Sequence, residues 1–239
     1  MRYLNTIVCF LLFSFPVFAH ASTSGVSSGN PTKGSSVELR HSYSTDDESN
    51  SQNDRIRIRQ HFEHGFTENY AIRLILTQDK QKGDPLKHSS FRVENRLQFY
   101  NQKDHGFNGA LRFVYRNNDN SPDAVEVQFN GSTDLIYGLQ YKQNVIFSYD
   151  IGKDSRSGMG LETRLAIEKT VSQFDIGIDM LNDFGNIRDL SGFDQQSHEI
   201  GPYLEGDITE NIYYLIGLRH GLSEDAVDQS LRLFTGYKF

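Results

Sequence analysis

The chain has 239 residues, a formal net charge of −7 and a mean hydropathy of −0.54, yet 17 residues are Phe and 12 are Tyr. The acidic balance argues against nucleic-acid binding, which requires a basic surface. The sequence contains no glycine-rich phosphate loop, zinc-ligand spacing or nucleotide motif, so we predict no cofactor and no metal site. Low hydropathy combined with many aromatic residues is typical of a membrane barrel with a wet lumen.

Residues 1–21 have the pattern of a secretory signal peptide. Arg2 precedes an apolar run from Ile7 to Phe18, and small residues flank the expected cleavage point after Ala21. This run is shorter than the roughly 20 residues that span a bilayer as a helix, which leaves a retained anchor as the weaker alternative. Cys9, the only cysteine, falls in this segment, so the mature chain is expected to have no disulfide.

The mature chain is predicted to begin with a flexible periplasmic leader and to continue as one domain. Residues 22–36 are mostly Ser, Gly and Thr, a composition that buries too little apolar surface to order itself. Residues 37–239 show no second shift in composition and are predicted to form an outer-membrane β-barrel.

The strongest pattern in the chain is an alternation of apolar and polar residues with a period of two. In segment 54–62, Ile56 and Ile58 alternate with Arg55, Arg57 and Arg59. The alternation recurs in twelve segments: 37–43, 54–62, 70–76, 91–99, 111–115, 125–129, 145–149, 161–167, 174–180, 200–204, 212–218 and 231–239.

These segments predict a transmembrane antiparallel up-and-down β-barrel of about twelve strands, an even number as single-chain barrels require. Ten or fourteen strands stay possible, because 130–144 contains no clear turn. Long connectors alternate with short ones, which is typical of long outer loops and short periplasmic turns.

The carboxy-terminal residues alternate up to a final aromatic residue. Leu231, Leu233, Tyr237 and Phe239 share one face, and the segment resembles the terminal strand that outer-membrane proteins present to the barrel-assembly machinery. This resemblance implies that machinery as a partner, together with outer-membrane lipid and lipopolysaccharide. It also implies location in the outer membrane of a Gram-negative cell.

The polar residues of the predicted strands are expected to face the lumen if the apolar residues face lipid. The first five strands then project a basic wall of Arg40, Arg55, Arg57, Arg59, Arg73, Arg92, Arg96, Arg112 and Arg116. Strands six to ten project an acidic wall that includes Glu126, Glu162 and Glu168, with Arg164 as the main exception. Guanidinium groups offer paired donors to carboxylate or phosphate, so we interpret these residues as a path for small anionic solutes.

The beginning of the barrel resembles a known family. The segments VELRHSY from Val37, DRIRI from Asp54 and HGF from His64 resemble the start of the oligogalacturonate-specific monomeric porins. That resemblance implies a monomeric twelve-stranded barrel whose lumen arginines guide acidic sugars, with Arg40, Arg55 and Arg57 as candidates. The final third, from Ser197, is similar to uncharacterised transporter-type outer-membrane barrels.

The sequence leaves three functions open. The favoured one is a porin-like diffusion channel for small hydrophilic, possibly anionic, solutes, without enzymatic activity. The second is a closed structural or adhesion barrel, in which arginine–carboxylate pairs fill the bore and no transport occurs. The third is an outer-membrane hydrolase built from one of four histidine combinations: His41 with Ser42, His88 with Ser89, His198 with Glu199, or His220 with Ser223.

Overall fold

The computed structural model describes residues 23–48, 50, 52–153, 155 and 157–239. The predicted signal peptide, with Cys9, lies outside the described residues. Within the described part of the chain, no helix is long and apolar enough to cross a membrane. The only α-helix there is the short α1 (Gln102–His105).

Twelve antiparallel strands form a closed barrel in which each strand pairs with its neighbours in the chain and the first pairs with the last. The predicted barrel and the predicted number of twelve strands are therefore confirmed. The strands are β1 (Gly34–Thr45), β2 (Ile56–Thr67), β3 (Tyr70–Lys80), β4 (Lys87–Tyr100), β5 (Asn108–Asn118), β6 (Asp123–Asp134), β7 (Leu139–Ile151), β8 (Gly160–Val171), β9 (Phe174–Asn186), β10 (Ser197–Asp207), β11 (Ile212–Gly221) and β12 (Gln229–Lys238).

The turn between β6 and β7, which the sequence left open, is a 3₁₀ turn over Ile136–Gly138. Tyr137 has φ +61° and Gly138 has φ +71°. A tyrosine in the left-handed region is uncommon, so the residue types gave little sign of a turn here. Apolar residues also continue with the same parity on both sides of this turn, which hid the break between the strands.

The two ends of the barrel differ in the length of their connections. We call the end at which β1 starts and β12 ends the terminal end. It has the two-residue turns 68–69 and 172–173. The opposite end, which we call the loop end, has the longer connections 46–55 and 187–196. This asymmetry agrees with the predicted alternation of long and short connectors.

The outward face of the barrel is apolar. Large residues such as Phe62, Phe113, Phe129, Ile178 and Leu218 are about half exposed along the strands, whereas most buried side chains are polar or charged. This distribution is the reverse of that in a soluble protein, where the interior is apolar. The outer surface is therefore suited to lipid, as the alternation predicted.

Several bulky side chains of the lumen pack over glycines of the neighbouring strand. A Cβ atom at Gly177 would lie 2.5 Å from the ring of Tyr203, and one at Gly236 would lie 2.0 Å from the ring of Tyr213. The Tyr203 hydroxyl in turn donates a 2.5 Å hydrogen bond to Glu168. Glycine at these positions lets aromatic rings lie flat against the inner wall.

The segment before β1 lies inside the barrel. Residues 23–33 have no regular secondary structure, and their backbone contacts lumen arginines and asparagines of several strands. The sequence predicted residues 22–36 to be a periplasmic leader, but residues 34–36 belong to β1. Composition could not indicate these contacts, because the lumen side chains that order the segment are distant in the chain.

We predict that Gly177→Ala lowers the free energy of unfolding by about 1–3 kcal/mol, as expected for overpacking. The new methyl group forces Tyr203 to move and to lose its bond to Glu168. The change in the free energy of unfolding is measured by urea unfolding of the refolded barrel, with heat-modifiable migration on gels as the readout. Gly192→Ala in the 187–196 loop is the control, because nothing lies within 4 Å of its added Cβ. Equal destabilisation of both variants would contradict the proposed packing.

Candidate functional site

The predicted lumen residues do lie inside the barrel. Those that line the two main cavities are Arg40, Arg55, Arg57, Arg59, Arg73, Arg92, Arg96, Arg112, Arg116 and, from the opposite side, Arg164. The predicted carboxylates lie among them: Glu126 contacts Arg92 and Arg116, Glu162 contacts Arg164, and Glu168 contacts Lys142. Strand alternation alone therefore placed these side chains on the correct face.

The lumen contains two cavities that meet near its middle. The outer cavity, at the loop end, has a volume of about 570 Å³ and is lined by residues of β2 to β5 and their loops. The inner cavity, about 410 Å³, extends to the terminal end and is lined by residues 24–36 and most strands. Arg59 and Arg92 line both cavities, so these two guanidinium groups mark their junction.

The junction carries more positive than negative charge. Arg59 forms no ion pair with any carboxylate of the described residues, and its Nε has no hydrogen-bond partner. Arg57 and Arg92 line the outer cavity together with Arg59. Arg92 has only a long contact of 3.8 Å to Glu126, which Arg116 shares at 3.5 Å. Within the described residues, Arg59 is thus the arginine of this junction that lacks a carboxylate partner.

Six other arginines of the predicted basic wall have carboxylate partners on the same wall. Arg40 pairs with Glu38, Arg112 with Glu94, Arg73 and Arg96 with Glu63, and Arg55 and Arg57 with Asp79. The prediction of a purely basic wall was therefore incomplete. Guanidinium groups that leave water need a counter-charge. The sequence contained this signal, because these four carboxylates have the same strand parity as the arginines.

The opposite wall also contains basic residues that sequence reasoning missed. Asp179 accepts a hydrogen bond from Arg219, at 2.9 Å, and forms an ion pair with Arg232, at 2.7 Å, and all three side chains are at most 2% exposed. These arginines belong to β11 and β12, to which the sequence analysis assigned no charged lumen residues. Asp179 thereby links the last two strands to β9.

A carboxylate cluster near the terminal end has its own internal cation. Glu168, Asp175 and Glu205 lie close enough together to share a metal ion. The Lys142 ammonium group, however, lies 2.5 Å from Glu168 and 3.3 Å from Glu205. This ammonium group contacts two of the three carboxylates and offsets one of their negative charges.

The four histidine combinations considered for hydrolysis do not form catalytic pairs in the described residues. His88 contacts Asp119 instead of Ser89, and both ring nitrogens of His198 contact side-chain amides, those of Asn182 and Gln196. The Ser223 hydroxyl donates to the backbone carbonyl of Gln196. Ser35 does contact His64 at 2.9 Å on the terminal rim, a pair that the sequence analysis did not single out.

We predict that Asp179→Asn lowers the free energy of unfolding by about 3–5 kcal/mol, because it leaves two buried guanidinium groups without their counter-charge. The matched control is Asp207→Asn, which breaks an exposed pair with Lys238 and should cost no more than about 1 kcal/mol. Urea unfolding of both refolded variants measures the difference. Similar costs for the two variants would contradict the structural importance of the buried cluster.

No protein-family profile and no curated protein sequence matches this chain. Solved structures do match it. A structure described as "KdgM porin in complex with disordered oligogalacturonate" aligns with a TM-score of 0.60 and 12% identity, over 85% of this chain and 99% of that chain. A second structure of the KdgM porin gives 0.60 and 13% over the same shares.

The outer membrane protein Omp33 from Acinetobacter baumannii aligns with a TM-score of 0.52 and 8% identity, over 89% of this chain and all of that one. At such identities the likeness concerns the fold. The chain thus has the fold of outer-membrane porin barrels, which confirms at that level the resemblance seen in its first strands.

Proposed function

We propose that this protein is a monomeric outer-membrane diffusion channel for small hydrophilic solutes, with a preference for anions. The observation that carries this proposal is the junction of the two lumen cavities at Arg59 and Arg92. A solute that passes along the bore has to pass these guanidinium groups, of which Arg59 has no carboxylate partner among the described residues.

The chemistry of the junction favours carboxylates and phosphates. A guanidinium group presents donors in a planar fork that matches these anions, and charge-assisted hydrogen bonds are stronger than neutral ones. Because Asp79 and Glu126 partly neutralise the neighbouring arginines, binding would be moderate at each step. Conduction requires such sites, from which a solute can leave as well as enter.

The size of the lumen supports small solutes. Barrels of about eight strands have an interior filled by side chains, whereas those of 16–18 strands enclose a wide channel. Twelve strands lie between these limits, and the outer cavity of about 570 Å³ could hold a small sugar acid or a comparable anion. The KdgM structure described as an oligogalacturonate complex shares the fold, which makes acidic sugars one class to test.

The proposal includes an orientation and a route to the membrane. A cleaved signal peptide over residues 1–21 would deliver the chain to the periplasm, and the final strand ending in Phe239 would engage the barrel-assembly machinery. The terminal end would then face the periplasm, and the loops would lie among lipopolysaccharide at the cell surface. The apolar outer face is the contact for outer-membrane lipid.

We predict that neutralising the junction with Arg59→Gln and Arg92→Gln lowers the anion-to-cation permeability ratio severalfold, because it removes the surplus positive charge there. Single-channel conductance and reversal potential in planar bilayers, under a salt gradient, measure this ratio. The control is Arg188→Gln, which removes the same charge from an exposed position in the 187–196 loop.

Discrete conductance steps with anion preference in the parent protein and in Arg188→Gln, but not in the double variant, would support the selective junction. If the double variant shows conductance steps with the same permeability ratio as the parent, the protein is still a channel, but the junction is not its selectivity site. Absence of conductance, where heat-modifiable migration shows a folded barrel, would contradict a channel that is open in this conformation.

A closed structural barrel is the second candidate function. Two observations favour it: most lumen arginines are paired with carboxylates, and residues 23–33 lie within the bore. In that case the loops would carry the interactions of the protein, and the bilayer experiment would give a folded but silent barrel.

A further inference from the structure

The segment of residues 23–33 crosses the lumen from one wall to the other. It begins at the terminal end, next to Gly34 of β1, and it lines the inner cavity together with strands from opposite sides of the barrel. Its only charged residue is Lys33, and its side chains are otherwise small or uncharged. We call residues 23–33 the lumen segment.

One part of the lumen segment is bound to the wall formed by β4, β5 and β7. Asn144 holds the backbone of Ser27 on both sides, with an Nδ2-to-carbonyl distance of 2.6 Å and an amide-to-Oδ1 distance of 3.1 Å. Arg112 donates to the Ser27 hydroxyl at 3.2 Å, and Arg96 donates to the Asn30 carbonyl at 3.4 Å.

The other part is bound to the opposite side of the barrel. The Ser24 carbonyl accepts hydrogen bonds from Arg219 of β11, at 2.8 Å, and from Arg232 of β12, at 3.2 Å. The Thr23 carbonyl accepts one from Arg40 of β1, also at 3.2 Å. Bonds to both sides of the bore mean that the lumen segment spans it.

Two glycines let the lumen segment fit closely. Gly29 has φ +84°, and a Cβ atom there would lie 2.6 Å from Cβ of Asn130 and 2.8 Å from Cβ of Ala110. In the wall, a Cβ atom at Gly65 of β2 would lie 2.0 Å from the carbonyl oxygen of Thr32. Glycine is the residue that tolerates positive φ and close backbone approach. The contact of Gly29 with the wall and the contact of Gly65 with Thr32 therefore both depend on glycine.

The barrel does not require the lumen segment to balance its charges. Each arginine that donates to the segment also has a carboxylate on a strand: Glu38 for Arg40, Glu63 for Arg96, Glu94 for Arg112, and Asp179 for Arg219 and Arg232. The segment offers these arginines only neutral oxygens, whose hydrogen bonds are weaker than those of charged acceptors. It can therefore leave while the walls keep their ion pairs.

We propose that the lumen segment is a tethered plug that occupies the path of the solute and gates the channel by leaving the bore. This inference rests on the proposed channel function and adds its regulation. The segment lies in the inner cavity, between the terminal end and the junction of Arg59 and Arg92. There it accepts hydrogen bonds from lumen arginines. A solute that has passed the junction meets the plug before it reaches the terminal end.

The position of the plug can be tested without any measurement of transport. In Ser27→Cys/Asn144→Cys, a disulfide should form under mild oxidation, because the two residues are in contact and residues 22–239 contain no other cysteine. Mass spectrometry of the folded barrel detects the bond. The control pair is Ser27→Cys/Ser148→Cys, which uses a position nearer the loop end of the same strand. Equal yields for the two pairs would overturn the proposed position.

The gating role is tested by conductance of three proteins: the parent, a deletion of residues 23–31, and Gly29→Val. Both variants should conduct severalfold more than the parent, because the deletion removes the plug and the valine cannot fit against Asn130 and Ala110. Gly29→Val leaves every strand unchanged and should also lower the yield of the Ser27–Asn144 disulfide. Gly192→Val, in open space, should behave like the parent.

The disulfide-locked protein should conduct less than the deletion variant and should stay that way until a reductant releases the segment and permits opening. Equal conductance of the parent and the deletion variant would overturn the plug but leave the channel standing. If no protein conducts, including the folded deletion variant, both the plug and the proposed function fail.

Discussion

Charged groups inside the lumen impose the constraint on which this structure depends. A guanidinium group that is removed from water must have a counter-charge or several hydrogen-bond acceptors. The barrel meets this requirement with carboxylates of nearby strands: Glu63 of β2 pairs with Arg73, directly opposite on β3, and with Arg96 of β4. Asp179 does so across three strands with Arg219 and Arg232. These pairs bind the strands to one another inside the barrel while lipid surrounds the outside.

The same requirement separates structural arginines from candidate functional ones. Arginines with close carboxylate partners have little capacity left for a solute, and they act as ties between strands. Arg59 differs, because other arginines surround it and no described carboxylate pairs with it. The proposed selectivity site is therefore the junction rather than the whole basic wall.

The lumen segment and the walls satisfy the arginines in two different ways. Carboxylates of the strands supply charge, and backbone carbonyls of residues 23–30 supply neutral acceptors where the arginines face the bore. Aromatic residues fill part of the remaining space, with Tyr203 and Tyr213 packed over Gly177 and Gly236. The bore is thus filled partly by fixed side chains and partly by a segment that is bound to the walls by hydrogen bonds to neutral oxygens. The proposed gating rests on this difference between fixed side chains and a segment that can move.

The sequence by itself determined the barrel and the inward direction of its charges, and it favoured twelve strands over ten or fourteen. Alternation with a period of two is a local property, and a lipid environment makes its meaning unambiguous, as for Arg55, Arg57 and Arg59 in β2. Only the tertiary structure decided which charges pair, because partners such as Asp179 and Arg232 are far apart in the chain and depend on strand register. The turn at Tyr137 required a left-handed tyrosine, which its residue type does not indicate. The position of residues 23–33 was likewise beyond the sequence, because small polar residues acquire order here only from arginines that the closed barrel brings around them.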